Sequence, residues 1–109
     1  MYVVDILGIN ENSCNFFTNS RIPQFLLESG LNRPGKCIAI TQPRRVAAIS
    51  LAQRVGLEIG DCSKVGYRVR FEDSTTAETK IIYQTDGMLL REAMLDPLLN
   101  KYSWIILGK

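Results

Sequence analysis

Two adjacent arginines, Arg44 and Arg45, are the residues of this 109-residue chain whose type and setting most clearly suggest chemistry. They lie in the stretch Thr41–Ala48, which follows a short apolar run and precedes a pattern typical of a helix. A turn between a strand and a helix lies at the carboxyl end of the strand, where open α/β sheets bind ligands. Guanidinium groups beside the free N–H groups of a helix start favour an anion, such as a phosphate. The alternative is a solvated helix start that happens to carry two arginines, and spacing alone leaves both interpretations open.

Composition narrows the class of protein. With 46% hydrophobic residues, the chain fits one small globular domain and not a disordered segment. Because the net charge is only +2, contact with a nucleic acid would depend on local arginines and not on a basic field over the whole protein. The chain contains no histidine, which excludes the usual His/Cys zinc patterns and the usual general base of hydrolases.

The cysteines and the apolar runs predict a cellular setting. Cys14, Cys37 and Cys62 are far apart in sequence, which fits free thiols in a reducing compartment. No signal peptide is recognisable at the start, and no apolar run approaches the roughly 20 residues needed to span a bilayer. We therefore expect a soluble, intracellular, single-domain protein without a membrane partner.

The hydrophobic periodicity predicts strands that alternate with helices. Strands are predicted at Met1–Leu7, Lys36–Ile40, Val65–Phe71, Lys80–Gln84 and Trp104–Leu107. Helices are predicted from Arg21 to Gly30, from Pro43 to Gly60, and after the tripeptide Thr85-Asp86-Gly87. The segments Ile9–Ser20 and Glu72–Glu78 lack periodicity and are predicted to be loops. Strands that alternate with helices indicate βαβ units, and hence an α/β fold with a parallel sheet covered on both faces.

Five blocks of this sequence resemble the first RecA-like domain of DEAH-box RNA helicases, in the order and at the spacing of that family. The blocks are IPQFLLESG, TQPRRVAAISLAQRV, VGYRVRFED, TDGMLLREAM and DPLLNKYSWIIL, and together they extend over about residues 22–107. The resemblance implies a partial RecA-like domain of the P-loop NTPase type over residues 1–109, with a divergent loop at residues 9–20. It also implies ATP-dependent remodelling of RNA, as in splicing or ribosome biogenesis, and a nuclear or cytoplasmic location with the nucleus favoured.

The resemblance assigns roles to two motifs, TQPRRVAA and TDGML, which contact the RNA backbone in the family. Arg44, Arg45, Thr85, Asp86 and Gly87 are therefore expected to face phosphates of RNA, the partner that the resemblance implies. Such contacts hold the backbone without reading the bases. Thr85 and Asp86 also occupy positions where a helix N-cap belongs, and capping alone would account for them.

The strand predicted at Val65–Phe71 carries two further arginines, Arg68 and Arg70. They share one face of the strand, opposite the face that carries Val65, Tyr67, Val69 and Phe71. For these two arginines we expect a solvated or salt-bridged face and not a binding site.

The nucleotide-binding motifs of the family are not matched in this chain. The functional positions of its ATP-binding loop, GxxxxGK[ST], fall on Asn12, Phe17, Thr18 and Asn19, and none has the required residue type. At the other end, the strand that precedes Asp-Glu-Ala-His in the family runs into Gly108-Lys109, so both carboxylates are absent. We therefore expect no catalytic residue, no metal ligand and no bound cofactor, although intact members of the family use ATP and Mg²⁺.

Three functions follow from these observations. The chain is a truncated or degenerate helicase copy, inactive as an ATPase and helicase by itself and at most contacting the RNA backbone. Alternatively, it is a module that binds RNA, the missing helicase lobes or an intact helicase. A third possibility is an active ATPase whose divergent loop uses the charge of Arg21. In each case Trp104–Leu107 is an aggregation hazard unless the sheet pairs it on both sides.

Overall fold

The computed structural model describes residues 2–5 and 15–108, which form a sheet with helices on both faces. In chain order the elements are β1 (Tyr2–Asp5), α1 (Asn15–Glu28), β2 (Cys37–Gln42), α2 (Arg45–Ile59), β3 (Val65–Val69), β4 (Glu72–Asp73), β5 (Ile81–Thr85), α3 (Asp86–Leu95) and β6 (Tyr102–Leu107). A single 3-10 turn, Cys62–Lys64, precedes β3. The predicted α/β class is confirmed. Within the described residues, no helix is both long and apolar enough to cross a membrane.

The described strands form one sheet in the order β1-β6-β2-β5-β3-β4. All neighbouring strands run parallel except β3 and β4, which pair antiparallel. The predicted parallel sheet is therefore confirmed, with one antiparallel strand added at an edge. The hydrogen-bonding groups of β6 are paired with β1 on one side and with β2 on the other. Because β6 is paired on both sides, the apolar segment Trp104–Leu107 is no longer expected to be an aggregation hazard.

Alternate residues of the central strands enter two separate cores. Ile38, Ile40, Ile81, Tyr83 and Ile106 pack with Leu26 of α1 and with the α2 stripe Ala48, Leu51, Ala52 and Val55. Ala39, Ile82 and Ile105 pack on the other face with Leu89 and Ala93 of α3. The helix predicted from Pro43 to Gly60 is confirmed, and Gly60 ends it in a left-handed conformation with φ 83°.

Helix α1 differs from its predicted form at its start. It begins at Asn15, so the loop predicted for Ile9–Ser20 is wrong from that residue onward, and residues 9–14 lie outside the described part. Pro23 consequently lies inside the helix and not in its first turn. A proline there cannot donate the N–H that would bond the Asn19 carbonyl. The hydroxyl of Tyr83, from β5, donates to that carbonyl at 2.7 Å. A tertiary contact therefore replaces the missing helical hydrogen bond, which local sequence rules could not reveal.

The end of β3 also differs from the prediction. The strand stops at Val69, and the first two residues of the predicted loop Glu72–Glu78 instead form β4, which pairs back onto β3. Phe71 lies in the connecting turn with a left-handed φ of 69°. Its side chain is 93% exposed, and its predicted place in the strand is wrong. The chain reverses direction after Val69, so Phe71 does not continue the alternation of side chains along β3.

We expect the substitution Tyr83→Phe to lower the free energy of unfolding by about 1–2 kcal/mol, because it leaves the buried Asn19 carbonyl without a donor. Urea unfolding followed by circular dichroism measures this loss. Tyr67→Phe removes a hydroxyl that bonds at the surface and serves as the matched control. The cost of Tyr83→Phe should fall in a Pro23→Ala background, where residue 23 regains its N–H. An equal cost in both backgrounds would contradict this account of Pro23.

Candidate nucleic-acid interface

The carboxyl ends of β2, β3 and β5 lie at the same edge of the sheet. Gln42 at the end of β2 is opposite Thr85 at the end of β5, and Arg68 of β3 is opposite Gln84. Helix α2 begins at Arg45 and α3 begins at Asp86, immediately beyond this edge. Parallel pairing thus brings the Arg44–Arg45 turn and the Thr85–Gly87 turn onto neighbouring connections. Ligands of open α/β sheets bind at such an edge.

The two predicted arginines differ in their electrostatic surroundings. Arg44 is exposed and occupies the N-cap position of α2 without a side-chain capping bond. Among the described residues, no acidic group lies within ion-pair distance of Arg44. Arg45 lies 3.4 Å from a carboxylate oxygen of Glu72. Glu72 also accepts a hydrogen bond of 2.5 Å from the Tyr67 hydroxyl, which raises the pKa of Tyr67. The charge of Arg44 is thus the less compensated of the two.

The residues at the start of α3 leave hydrogen-bonding capacity for a ligand. Thr85 occupies the N-cap position, as predicted, but its hydroxyl makes no capping bond. Capping alone therefore does not account for the Thr85 hydroxyl in this structure. A Cβ added to Gly87 would meet no atom within 4 Å, so the backbone there is open to close approach. Asp86 lies in the first turn, where its charge suits the helix dipole but opposes a phosphate.

A cleft of about 290 Å³ lies beside this turn and adds two arginines that the sequence interpretation did not place in a site. It is lined by Arg70, Thr85, Gly87, Met88 and Arg91. Arg91 follows Gly87 by four residues and therefore lies on the same face of α3. That spacing was the available signal in the sequence. Arg70 comes to the cleft from the turn between β3 and β4, a position that only the tertiary structure defines.

Of the two predicted environments, a solvated or a salt-bridged face, Arg68 has the salt-bridged one and Arg70 the solvated one. Arg68 lies within ion-pair distance of both Asp73 and Glu92. Arg70 is exposed, and its guanidinium lies 4.9 Å from the centroid of the Phe71 ring. Among the described residues, Arg70 has no acidic partner within ion-pair distance. Its charge is therefore available to a ligand.

Comparison with known proteins identifies the family to which these residues point. No protein-family model matches the chain. It is 59% identical over 94 residues to the mouse ATP-dependent RNA helicase DHX33, covering 83% of this chain. It is 52% identical over 92 residues to the Arabidopsis thaliana pre-mRNA-splicing factor ATP-dependent RNA helicase DEAH10, again covering 83% of this chain. Over 107 residues, or 95% of this chain, it is 49% identical to the probable ATP-dependent RNA helicase DHX35 homolog of Caenorhabditis elegans.

The chain is a homologue of part of the DEAH-box RNA helicases. It spans 13% of the mouse and Arabidopsis relatives and 14% of the Caenorhabditis relative. The predicted family is therefore confirmed, and the six-stranded, mostly parallel sheet of the described residues is consistent with a partial RecA-like domain.

In this DEAH-box homologue, a second cluster of polar atoms lies at the same edge of the sheet, beside β6 and around Gly108. Gly108 follows β6, and its N–H donates to the Thr41 carbonyl at 3.1 Å and to the Thr41 hydroxyl at 3.2 Å. Asn19 and Gln42 are both 2% exposed. Within the described residues, the Asn19 Oδ1 and Gln42 Nε2 atoms have no hydrogen-bond partner. A Cβ on Gly108 would lie 2.3 Å from Gln42 Nε2 and 3.0 Å from Asn19 Oδ1, so both orphaned atoms border this glycine.

These atoms do not fit a magnesium ion with its nucleotide. Magnesium prefers six oxygen ligands, including carboxylates and phosphates. Asn19 offers one amide oxygen, whereas Gln42 directs N–H donors toward the same space. No group of three or more His, Cys, Asp or Glu side chains that could hold a metal ion occurs among the described residues. Of the other loop positions, Asn12 lies outside the described residues, and the side chains of Phe17 and Thr18 do too.

We expect the substitution Gly108→Ala to lower the free energy of unfolding by about 1–3 kcal/mol, because its Cβ would overlap buried polar atoms of Thr41 and Gln42. Chemical denaturation measures the loss. Gly87→Ala is the matched control, since no atom lies within 4 Å of its added Cβ. The control lies inside α3 and should be neutral or slightly stabilising. Equal stability of the two variants would refute the tight approach at Gly108.

Proposed function

We propose that this DEAH-box homologue contacts the sugar-phosphate backbone of RNA through the carboxyl edge of β2, β3 and β5, and that it lacks ATPase and helicase activity by itself. The observation that carries the proposal is that exposed arginines lie near the N-termini of two neighbouring helices. The arginines are Arg44, Arg45, Arg70 and Arg91. The names of the relatives make RNA the expected anionic partner.

The chemistry of this edge suits a phosphate chain. Guanidinium groups bind phosphate oxygens through two parallel N–H bonds, and the charge assists both bonds. The Thr85 hydroxyl and the open backbone at Gly87 add neutral hydrogen bonds to the same cleft. Contacts of this kind fix the position of a nucleic acid without selecting its sequence. Asp86 weakens the field locally, so we assign phosphate binding chiefly to the arginines, Thr85 and Gly87.

The lack of ATPase activity is proposed from the group around Gly108. The donor chemistry of Asn19 and Gln42 does not suit magnesium, and an added Cβ at position 108 would overlap them. An aspartate placed there would meet the same overlap. Phosphoryl transfer depends on electrostatic stabilisation by a cation and its carboxylate ligands. The described residues offer no substitute for that arrangement.

We expect Arg44→Ala and Arg70→Ala each to weaken binding of a single-stranded RNA by roughly three- to tenfold, because each removes a charge-assisted phosphate contact. Fluorescence anisotropy with a labelled uridine oligomer, measured over a series of salt concentrations, tests this. Each substitution should also reduce the slope of log K against log salt by about 0.7, the value for one phosphate on a single strand.

Arg33→Ala provides the charge-matched control. Arg33 is exposed and precedes β2, so it lies at the opposite edge of the sheet. The control should change neither affinity nor salt slope. If all three variants bind RNA equally, or if the unsubstituted chain does not bind at all, the proposed interface is wrong.

We expect no magnesium-dependent binding of ATP to this chain at millimolar nucleotide concentration. Isothermal titration calorimetry in the presence and absence of MgCl₂ measures this, with an intact DEAH-box helicase as the positive control. The physical reason is the mismatch between the donors around Gly108 and a cation. Micromolar affinity that requires magnesium would overturn the proposed lack of activity and favour a divergent ATPase.

A second candidate function is docking onto an intact helicase. The exposed side chains of Leu90, Met94, Leu95 and Leu98 favour it, since they form an apolar surface on α3 and the turn that follows. Co-sedimentation with an intact DEAH-box helicase would distinguish this function from RNA contact, because Arg44→Ala should not affect it. The Arabidopsis relative is named a pre-mRNA-splicing factor, so we propose the nucleus as the site of either function.

A further inference from the structure

Arg68 joins three segments of the chain through its guanidinium group. From β3 its Nε atom lies 3.1 Å from the Asp73 carboxylate of β4. Its Nη1 atom donates to the Glu92 carboxylate of α3, and its Nη2 atom lies 3.5 Å from the Thr75 hydroxyl. The Arg68 side chain is 16% exposed, and that of Glu92 is 20% exposed. The guanidinium therefore bridges the β3–β4 hairpin to α3 in a partly desolvated position.

Glu92 lies near polar residues of the sheet. Gln84 of β5 donates to the Tyr102 hydroxyl of β6 at 3.3 Å. Burial raises the pKa of Tyr102, and the nearby Glu92 carboxylate raises it further. Tyr102 therefore keeps its proton at neutral pH. The network has few alternative arrangements, because both Gln84 and Tyr102 are buried.

Asp73 anchors the hairpin end of this bridge. Burial tends to raise the pKa of Asp73, but hydrogen bonds from Thr75 and the charge of Arg68 outweigh it and lower that pKa. Asp73 is thus ionised at neutral pH and attracts the guanidinium. Arg68 meets a carboxylate on each side, one on the hairpin and one on α3.

The two ends of the bridge adjoin the two arginines that line the cleft. Arg70 follows Arg68 by two residues, and Arg91 directly precedes Glu92. A change in the separation of the hairpin and α3 would therefore change the separation of Arg70 from Arg91. A planar guanidinium with donors in a fixed fork holds such a separation better than a single ammonium group does.

We propose that Arg68 is a positioning residue: through Glu92 and Asp73 it sets the spacing of Arg70 and Arg91, so that both meet one RNA backbone at the same time. Arg68 does not contact RNA itself, since its three nitrogens face the Asp73 and Glu92 carboxylates and the Thr75 hydroxyl. This inference rests on the proposed RNA-backbone function and deepens it.

Two variants of the full chain test the role without removing charge from the cleft. Arg68→Lys keeps the positive charge but loses the fork, and Glu92→Gln keeps a side chain of the same shape but loses the ionic partner. Each should weaken binding of the uridine oligomer by roughly three- to tenfold and reduce the salt slope toward that of Arg70→Ala. Circular dichroism confirms that each variant is folded. Arg54→Lys alters another Arg–Glu bridge, 4.0 Å long and on α2, and should change neither quantity.

A double-mutant cycle separates positioning from direct contact and from a general loss of stability. In an Arg70→Ala, Arg91→Ala background, Arg68→Lys should no longer affect RNA affinity, although its effect on unfolding should persist. An unchanged loss of affinity in that background would show that Arg68 acts by another route and overturn the proposal. If the unsubstituted chain binds RNA and neither Arg68→Lys nor Glu92→Gln changes affinity, the positioning role is wrong but the proposed RNA-binding function stands. Failure of the unsubstituted chain to bind RNA refutes the proposed function, and the positioning role with it.

Discussion

The parallel pairing of β2 with both β5 and β6 is the constraint on which the rest of the structure depends. Ile38, Ala39 and Ile40 are completely buried, so a shift of one residue in register would move apolar side chains into the wrong core. This register places the carboxyl ends of the central strands at one edge. Because the segment after β2 and the segment after β5 both become helices, two helix N-termini lie next to each other there. The candidate interface is a consequence of this arrangement and not of any single motif.

The two halves of this edge have opposite electrostatic character. Beside β3 and β5 the edge is open and cationic, with exposed arginines around the unobstructed backbone at Gly87. Beside β6 it is neutral and closely packed, because the Gly108 backbone lies against Thr41 between two buried amide side chains. An anion held by guanidinium groups suits the first half. A divalent cation with carboxylate ligands suits neither half. This asymmetry is the physical basis for proposing RNA contact for the chain without proposing nucleotide chemistry.

The partly buried ion-pair network beside α3 connects the fold to the interface. An isolated surface ion pair contributes little to stability, but partial burial makes the loss of one partner costly. Arg68 and Glu92 are in that intermediate setting, since their side chains are 16% and 20% exposed. Such a network specifies one relative placement of the hairpin and α3. The placement matters for function because the cleft arginines belong to those two elements.

Much of the fold could be predicted from sequence because it follows from local periodicity. The alternation in the central strands, the apolar stripe of α2 and the glycine that ends it each depend on residues close together in the chain. The errors arose where pairing or contact with another element changed the local outcome. Pro23 lies inside a helix because Tyr83 of β5 supplies a donor to Asn19. Phe71 is exposed because β4 pairs back onto β3.

The same division applies to the candidate site. The sequence by itself determined the α/β class, the family and the arginines at the start of α2, since these depend on short patterns and ordered motifs. Tertiary structure decided that Arg70 and Arg91 share a cleft, that Arg68 bridges two acidic side chains, and that Asn19 and Gln42 both border Gly108. Each of these facts is a proximity between side chains of separate elements. Such proximity depends on strand register and helix placement. Both follow from packing over the whole core, and no local pattern encodes them.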